Sequence, residues 1–425
     1  MNVFLKNSGY RRFSIASFLS SAGDILFYLA FMTYASKLHN YSLALSLIAI
    51  SESVPKLFEI FGGYLADKTK KKFRNIFLMA LARFILYAIV GILFASHISD
   101  WTLVIAVVII NLISDTFGSY SGGLVAPLIV DLVGKDEFGE ATGFTSGISQ
   151  IINITAQFIG SGLLLFMSYS NLAFLNAATF LAAGALYASV GLKQNKTRDA
   201  QVEKEVEVND QKFFATMKSS FLQVKKQAGL LTIVLVVALL NGALNSMESL
   251  ISIVMAANKS TMIISSYSFT IAIMGVVVAA GAALGSMFGP QVFKKTSVFS
   301  IILTAIIFAL ATTLAALFAN IYVILPCYFL LAMTASLGSI KLTQWLVNTV
   351  DQKILASSVG LLNTILMATA PLLTTILTTI SGTTNVHYAL FALLAVEALV
   401  LVTTIKMSIK VVRNKKEKDP HVAIT

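Results

Sequence analysis

Charge, cysteine and histidine are all scarce in this chain of 425 residues, and each shortage removes a class of protein. Charged residues are 12% of the total, against about a quarter in ordinary globular domains. With 57% apolar residues and a mean hydropathy of +0.82, a soluble domain is excluded. The single cysteine, Cys327, rules out an intrachain disulfide and a cysteine metal cluster, and it reads as a small packing residue. The four histidines fall in loops, in the tail or at the ends of apolar runs, so no cluster of nucleophile, base and orienter can be assembled. An enzyme is therefore not expected. A phosphate-binding loop of the form G-x-x-x-x-G-K-(S/T) is also missing, which leaves an ATP-driven pump without support. No metal and no cofactor is expected, so an ion gradient is the energy source that remains.

What the chain does have is a succession of apolar runs of about 20 residues, each long enough to cross a bilayer. Helices are expected at about 13–35, 43–66, 74–95, 102–130, 141–167, 172–192, 229–256, 263–289, 297–318, 321–348, 357–380 and 386–408, giving an all-α membrane protein with twelve transmembrane helices. Twelve spans put both ends on one side. Of the 31 Lys and Arg, 26 fall in segments on that side, two (Lys37 and Lys259) on the other, and Lys56, Arg83 and Lys341 within spans. Such asymmetry predicts an N-in, C-in topology. It also accounts for the formal charge of +11 as solvated loops at a membrane surface, so nucleic acid is not an expected partner. The run after Arg11 and Arg12 exceeds a signal-peptide core and reads as an uncleaved first helix.

Residues 193–228 form the long hydrophilic stretch that separates six spans from six, and they carry Glu203, Glu205, Glu207 and Asp210. Within them Phe213, Phe214, Met217, Phe221 and Val224 recur at helical spacing beside lysines, the pattern of an amphipathic helix on the inner leaflet, a solvated linker being the alternative. The organisation expected is a first half at 1–192, this linker, a second half at 229–410 and a basic cytoplasmic tail at 411–425. The halves echo one another: Gly63 and Lys72 correspond to Gly285 and Lys294, and Val133, Phe138 and Gly143 to Val350, Leu355 and Gly360. Gly281, Gly285 and Gly289, like Gly143 and Gly147, make small-xxx-small steps that let helices approach closely in lipid.

Nine ionisable residues interrupt the spans: Asp24, Glu52, Lys56, Glu59, Arg83, Asp115, Glu248, Lys341 and Glu397. Each costs on the order of 2.5–3.5 kcal/mol at mid-bilayer and so calls for a cavity or a partner. Glu52, Lys56 and Glu59 share one face of a helix at i, i+4 and i+7, where Glu52 and Lys56 could neutralise one another.

The segment Gly63-Tyr-Leu-Ala-Asp-Lys-Thr-Lys-Lys-Lys72 resembles the loop between helices 2 and 3 of major facilitator superfamily transporters, G-x-L-A-D-(R/K)-x-G-(R/K)-(R/K). Gly63, Leu65, Ala66, Asp67, Lys68, Lys71 and Lys72 fit, and Lys70 replaces a glycine. Ser20-Ser21-Ala22-Gly23-Asp24, the passage from Ala126-Pro127 to Gly143-Phe144, and Pro371 resemble the third drug:proton antiporter group, which includes bacterial macrolide exporters. The resemblance implies two six-helix halves with spans 1, 4, 7 and 10 lining a cavity, which assigns Asp24, Asp115, Glu248 and Lys341 to substrate or proton binding. It makes Gly63, Asp67, Lys68, Lys71 and Lys72 a gating loop, with Asp67 against the start of span 11 near Ser357. Arg83 and Glu397 fall outside that site. Two departures stand out: these antiporters commonly carry an Arg on span 4, and a Gly-Pro pair on span 5 where this chain has Ala156-Gln157.

The function expected is secondary active export of an amphipathic or cationic small molecule, exchanged for protons across a bacterial cell membrane by a multi-pass monomer whose partners are its substrate and membrane lipid. The charged form of a carboxyl group is disfavoured in apolar surroundings, so acids there can exchange protons near neutral pH. An importer or a lipid flippase of the same fold, or a non-transporting membrane sensor or partner protein, are the rival readings.

Overall fold

Backbone polar groups cannot be left unpaired in hydrocarbon, so a chain this apolar is confined to helices. The computed structural model describes residues 2–58, 65, 69–198, 222, 230–294, 296–349 and 352–418, with backbone alone at 193–198, 230, 290, 343–349, 352–362 and 410–418. The main helices among them are α1 (Ser8–Ala35), α2 (Tyr41–Ser53), α3 (Lys72–Ala95), α4 (Asp100–Leu163), α5 (Tyr169–Arg198), α6 (Leu230–Ala257), α7 (Tyr267–Met287), α8 (Val298–Leu317), α9 (Ile321–Thr349), α10 (Gln352–Thr383) and α11 (Val386–Lys418). Ten of the described helices are long and apolar enough to cross a membrane, which makes this an integral membrane protein.

Three elements differ from the sequence expectation. First, α4 runs for 64 residues, roughly 96 Å at 1.5 Å per residue, three times the thickness of a bilayer core. It breaks into two arms at Gly134, whose φ of 81° and ψ of 172° lie in a region essentially reserved for glycine. The ten-residue loop expected between spans 4 and 5 therefore contracts to one glycine. The bend is fastened by the start of α1: the Asn7 side-chain amide donates to the Leu132 carbonyl at 2.7 Å, and the Tyr10 hydroxyl donates to the Ala141 carbonyl at 2.7 Å.

Second, the helix expected at 43–66 is interrupted after Ser53 by a turn at Val54 and Pro55, with helical residues again at 56–58 and at Leu65. Pro55 has no N–H to continue the ladder, and the bonds that follow are of i to i+3 type, from the Leu57 N–H to Val54 and from the Phe58 N–H to Pro55. Third, α5 continues past the expected boundary at residue 192 to Arg198. The amphipathic helix expected from Phe213 to Val224 lies outside the described residues, apart from the isolated helical residue Leu222.

The chain divides into two units, Met1–Asp210 with Ile264–Gly275, and Gln211–Ile263 with Val276–Thr425. In the first, α5 packs along α1 and α3, and α4 lies against α1, α2 and α3. Gly23 allows a close approach of α1 to α5: a Cβ there would run into the side chains of Thr179 and Asn176. Tyr10, Phe13, Ile76, Leu124, Leu128 and Tyr187 fill the core at one end of the bundle. At the other end Tyr34, Phe94 and Tyr169 cluster, with Lys37 donating to the Tyr169 hydroxyl at 2.8 Å, as suits a membrane interface.

In the second unit α6 packs on α10 and α11, and α8 on α9 and α11. Gly281, Gly285 and Gly289 bring α7 and the turn after it onto α9, one beside each of Phe329, Met333 and Leu337. The contact repeats every four residues on both partners, the small-residue packing that lipid favours. Gly143 and Gly147 do not act this way, because no described atom lies within 4 Å of where their Cβ atoms would be. Glu397 is fully buried between α11 and α8, accepting a bond from the Thr313 hydroxyl at 2.8 Å, and is thus engaged within this unit.

Candidate functional site

Arg83 sits on α3 about 17 Å from either end of the helix, the depth at which a charge is most costly. It is 7% exposed. Its guanidinium is held by three helices. Nε donates to the Ser114 hydroxyl at 2.9 Å; one terminal nitrogen lies between the two Asp24 oxygens at 3.0 and 2.9 Å and reaches Asp115 Oδ1 at 3.4 Å; the other reaches the Ser20 hydroxyl at 3.4 Å. The plane stacks over the Phe180 ring, 4.1 Å from its centroid, a cation–π contact that covers the apolar face of the guanidinium. Gly118 leaves room on α4, since a Cβ there would stand 3.4 Å from the guanidinium carbon.

Asn111, one turn before Asp115 on α4, extends the network. Its amide donates to Asp115 Oδ2 and to Glu52 Oε1, both at 3.0 Å, and to the Ser51 hydroxyl at 3.2 Å, while its carbonyl oxygen accepts from the Tyr87 hydroxyl at 2.6 Å. Asp24, Glu52, Asp115 and Arg83 all face one cavity of about 270 Å³, with Ser17, Ser20, Ser21 and Lys56 also on its wall. Three carboxyl groups meet one buried guanidinium there, with the exposed Lys56 as the second base. Fully ionised, the set carries an excess negative charge that a cation or a proton can neutralise.

Two of the four sequence-derived cavity residues, Asp24 and Asp115, come together here, joined by Glu52 from the accessory set. Arg83, set aside from the sequence, is the hub. It reaches from α3 to atoms on α1 and on the first arm of α4. Glu52 and Lys56 do not pair: among the described residues no ion pair joins them, because Pro55 interrupts the helix and takes Lys56 out of the i, i+4 register. Glu59 lies outside the described residues.

Glu248 and Lys341 belong to the second unit. Glu248 is exposed on α6. Lys341 stands 20 residues after Ile321 on α9, roughly 30 Å along the helix and eight residues before its end at Thr349. Its ammonium donates to the Lys294 main-chain carbonyl at 3.1 Å. Of the expected gating loop, Gly63, Asp67 and Lys68 are outside the described residues, as is the Ser357 side chain. Lys71 precedes α3 without a side-chain cap bond, Lys72 starts it, and the Thr69 hydroxyl bonds the Tyr120 hydroxyl on α4 at 2.8 Å. Among the described residues no group of three His, Cys, Asp or Glu is placed to hold a metal ion.

Asn111, Ser114, Tyr87 and Phe180 were not singled out from the sequence. The spacing of Asn111 and Asp115 at i and i+4 was the available signal, one polar stripe on an otherwise apolar helix.

Residues 13–372 match the Major Facilitator Superfamily, and the chain belongs to that family. Its fold is similar to that of a mutant of the nucleoside transporter NupG, seen in a crystal structure, with a TM-score of 0.71, 11% identity, and coverage of 94% of this chain and 100% of that one. It is also similar to that of the peptide transporter POT, solved as a mutant in complex with alafosfalin, with a TM-score of 0.65, 12% identity, and coverage of 94% and 95%. A POT family transporter in complex with 5-aminolevulinic acid follows at 0.63 and 10% identity, covering 95% and 96%. These likenesses establish the transporter fold. No curated protein matches the sequence.

Proposed function

We propose that this chain is a secondary active transporter of the drug:proton antiporter kind, which exports cationic or amphipathic small molecules in exchange for protons. The observation that carries the reading is the excess of carboxyl groups over buried bases around Arg83. A cation entering the cavity and a proton on Asp24 or Asp115 compete for the same uncompensated charge, so exchange needs no further device. Arg83 bonds α1 through Asp24 and α4 through Ser114 and Asp115 together, so on this reading neutralising Asp24 loosens the hold on α1 and leaves the contact with α4. Glu248 is proposed as a proton-exchanging acid within the second unit.

Asp24→Asn and Asp115→Asn are expected to reduce proton-driven export of a cationic dye by about tenfold or more and to flatten its pH dependence, while a neutral substrate is less affected. The comparison is made on right-side-out and inverted vesicles. Wild-type rates and pH dependence in both variants would remove the acids from the coupling route. An importer reading draws on the nucleoside and peptide transporters of similar fold, and uptake in right-side-out vesicles rather than extrusion would favour it.

The twelve-span, N-in and C-in arrangement in a bacterial cell membrane belongs to the same proposal and rests on the distribution of Lys and Arg. In a Cys327→Ser background, a cysteine at Asn40 should react with an impermeant maleimide added to intact cells, and one at Lys71 should not. The reverse pattern would invert the topology.

A further inference from the structure

The second unit holds a larger cavity, of about 580 Å³, that the proposed transport cycle does not use. Its walls are Leu284, Phe288, Phe293, Phe308, Met333 and Leu337, from α7, the turn after it, α8 and α9. An apolar cavity of about 150 Å³ holds one benzene molecule, so this one is on the scale of a long acyl chain. Several of its residues open outward: Met287 next to it is 64% exposed, Phe288 52% and Val292 71%. The groove thus opens over exposed apolar side chains at the end of α7 and in the turn after it, a surface suited to an acyl chain.

One end of the groove is cationic. Thr296 lies on its wall, and Lys294, two residues before, is exposed. The Lys341 ammonium is tied to the Lys294 carbonyl, a contact that uses one of its three N–H donors. Lys341 stands roughly 30 Å along α9 from Ile321, and the bond to Lys294 sets both lysines toward that end of the helix. An apolar slot opening beside two lysines complements an anionic amphiphile.

We infer that this groove is a binding site for an anionic phospholipid, with one acyl chain between Phe288 and Phe308 and the phosphate against Lys294 and Lys341. A bound lipid there bridges α7, α8 and α9 beside the glycine contact at Gly285 and Gly289, and so biases the packing of that contact.

The test uses delipidated, full-length protein in mild detergent, titrated with phosphatidylglycerol or with phosphatidylcholine of the same acyl chains. Thermal stability and lipids retained in native mass spectra are read together. Phosphatidylglycerol is expected to bind and raise the melting temperature, and phosphatidylcholine to do so at much higher concentration. At roughly 1 kcal/mol per lysine near a charged surface, K294A/K341A should weaken phosphatidylglycerol binding about thirtyfold, with recovery in K294R/K341R and no change in K259A. Thr304→Trp, which fills the groove from an exposed position on α8, should weaken both lipids. Equal binding of the two lipids by the wild type, or wild-type phosphatidylglycerol binding by K294A/K341A or by Thr304→Trp, would overturn the assignment. Competition by a cationic dye but not by lipid would make the groove part of the substrate route instead.

Discussion

Arg83→Leu is expected to stop transport and to lower stability by about 3 kcal/mol. Removing one partner of a buried ion pair leaves an uncompensated charge and costs about 3–5 kcal/mol. The low end applies because Asp24 keeps 33% of its side chain exposed. Leucine also leaves the Ser114 and Ser20 hydroxyls without their donor and takes the cation off Phe180. Adding Asp24→Asn should recover much of the stability, since the carboxylate that lost its partner is then neutral, but should not recover coupled transport. Thermal unfolding in detergent reads the first effect and vesicle transport the second. A single Arg83→Leu variant as stable and active as the wild type would mean that the network is ornamental.

Gly285→Val is expected to be the most damaging of the glycine substitutions, costing about 3 kcal/mol, the upper part of the range for overpacking. A Cβ at Gly285 would be driven onto the carbonyl oxygen of Met333, a backbone atom that cannot rotate away. Because the same contact is repeated at Gly281 against Phe329 and at Gly289 against Leu337, the displacement opens the whole length of the α7 and α9 contact. Gly143→Val and Gly147→Val should each cost less than about 1 kcal/mol, as no described atom stands in the way. The comparison is read from unfolding temperatures and from the yield of monodisperse protein. Equal effects at Gly285 and Gly143 would contradict the packing described.

Most of the spans were legible, ten qualifying among the described helices, because the length and hydropathy of an apolar run are set by the bilayer, not by tertiary context. The break in α2 was written in Pro55 but masked by the apolar run around it, since hydropathy is blind to a missing N–H. The one-residue connection at Gly134 was hidden for a related reason: Lys135, Asp136 and Glu137 look like a loop, yet polar residues at a membrane surface are equally content on an exposed helix. Asp24 and Asp115 could be named because an acid at mid-span is costly wherever it points. Their partner was harder. Arg83 is long enough to snorkel from many depths, so its position alone did not say whether it reached the surface or a carboxylate, and only the approach of α3 to α1 and α4 decides that.

The most direct test of the central claim is cationic dye transport by wild-type protein in vesicles, with and without an imposed pH gradient, while internal pH is followed. The account predicts that dye moves against its own gradient only while the pH gradient lasts, and that each uptake of dye is matched by proton movement the other way. Dye transport at the same rate with no pH gradient and with no proton counterflow would contradict it.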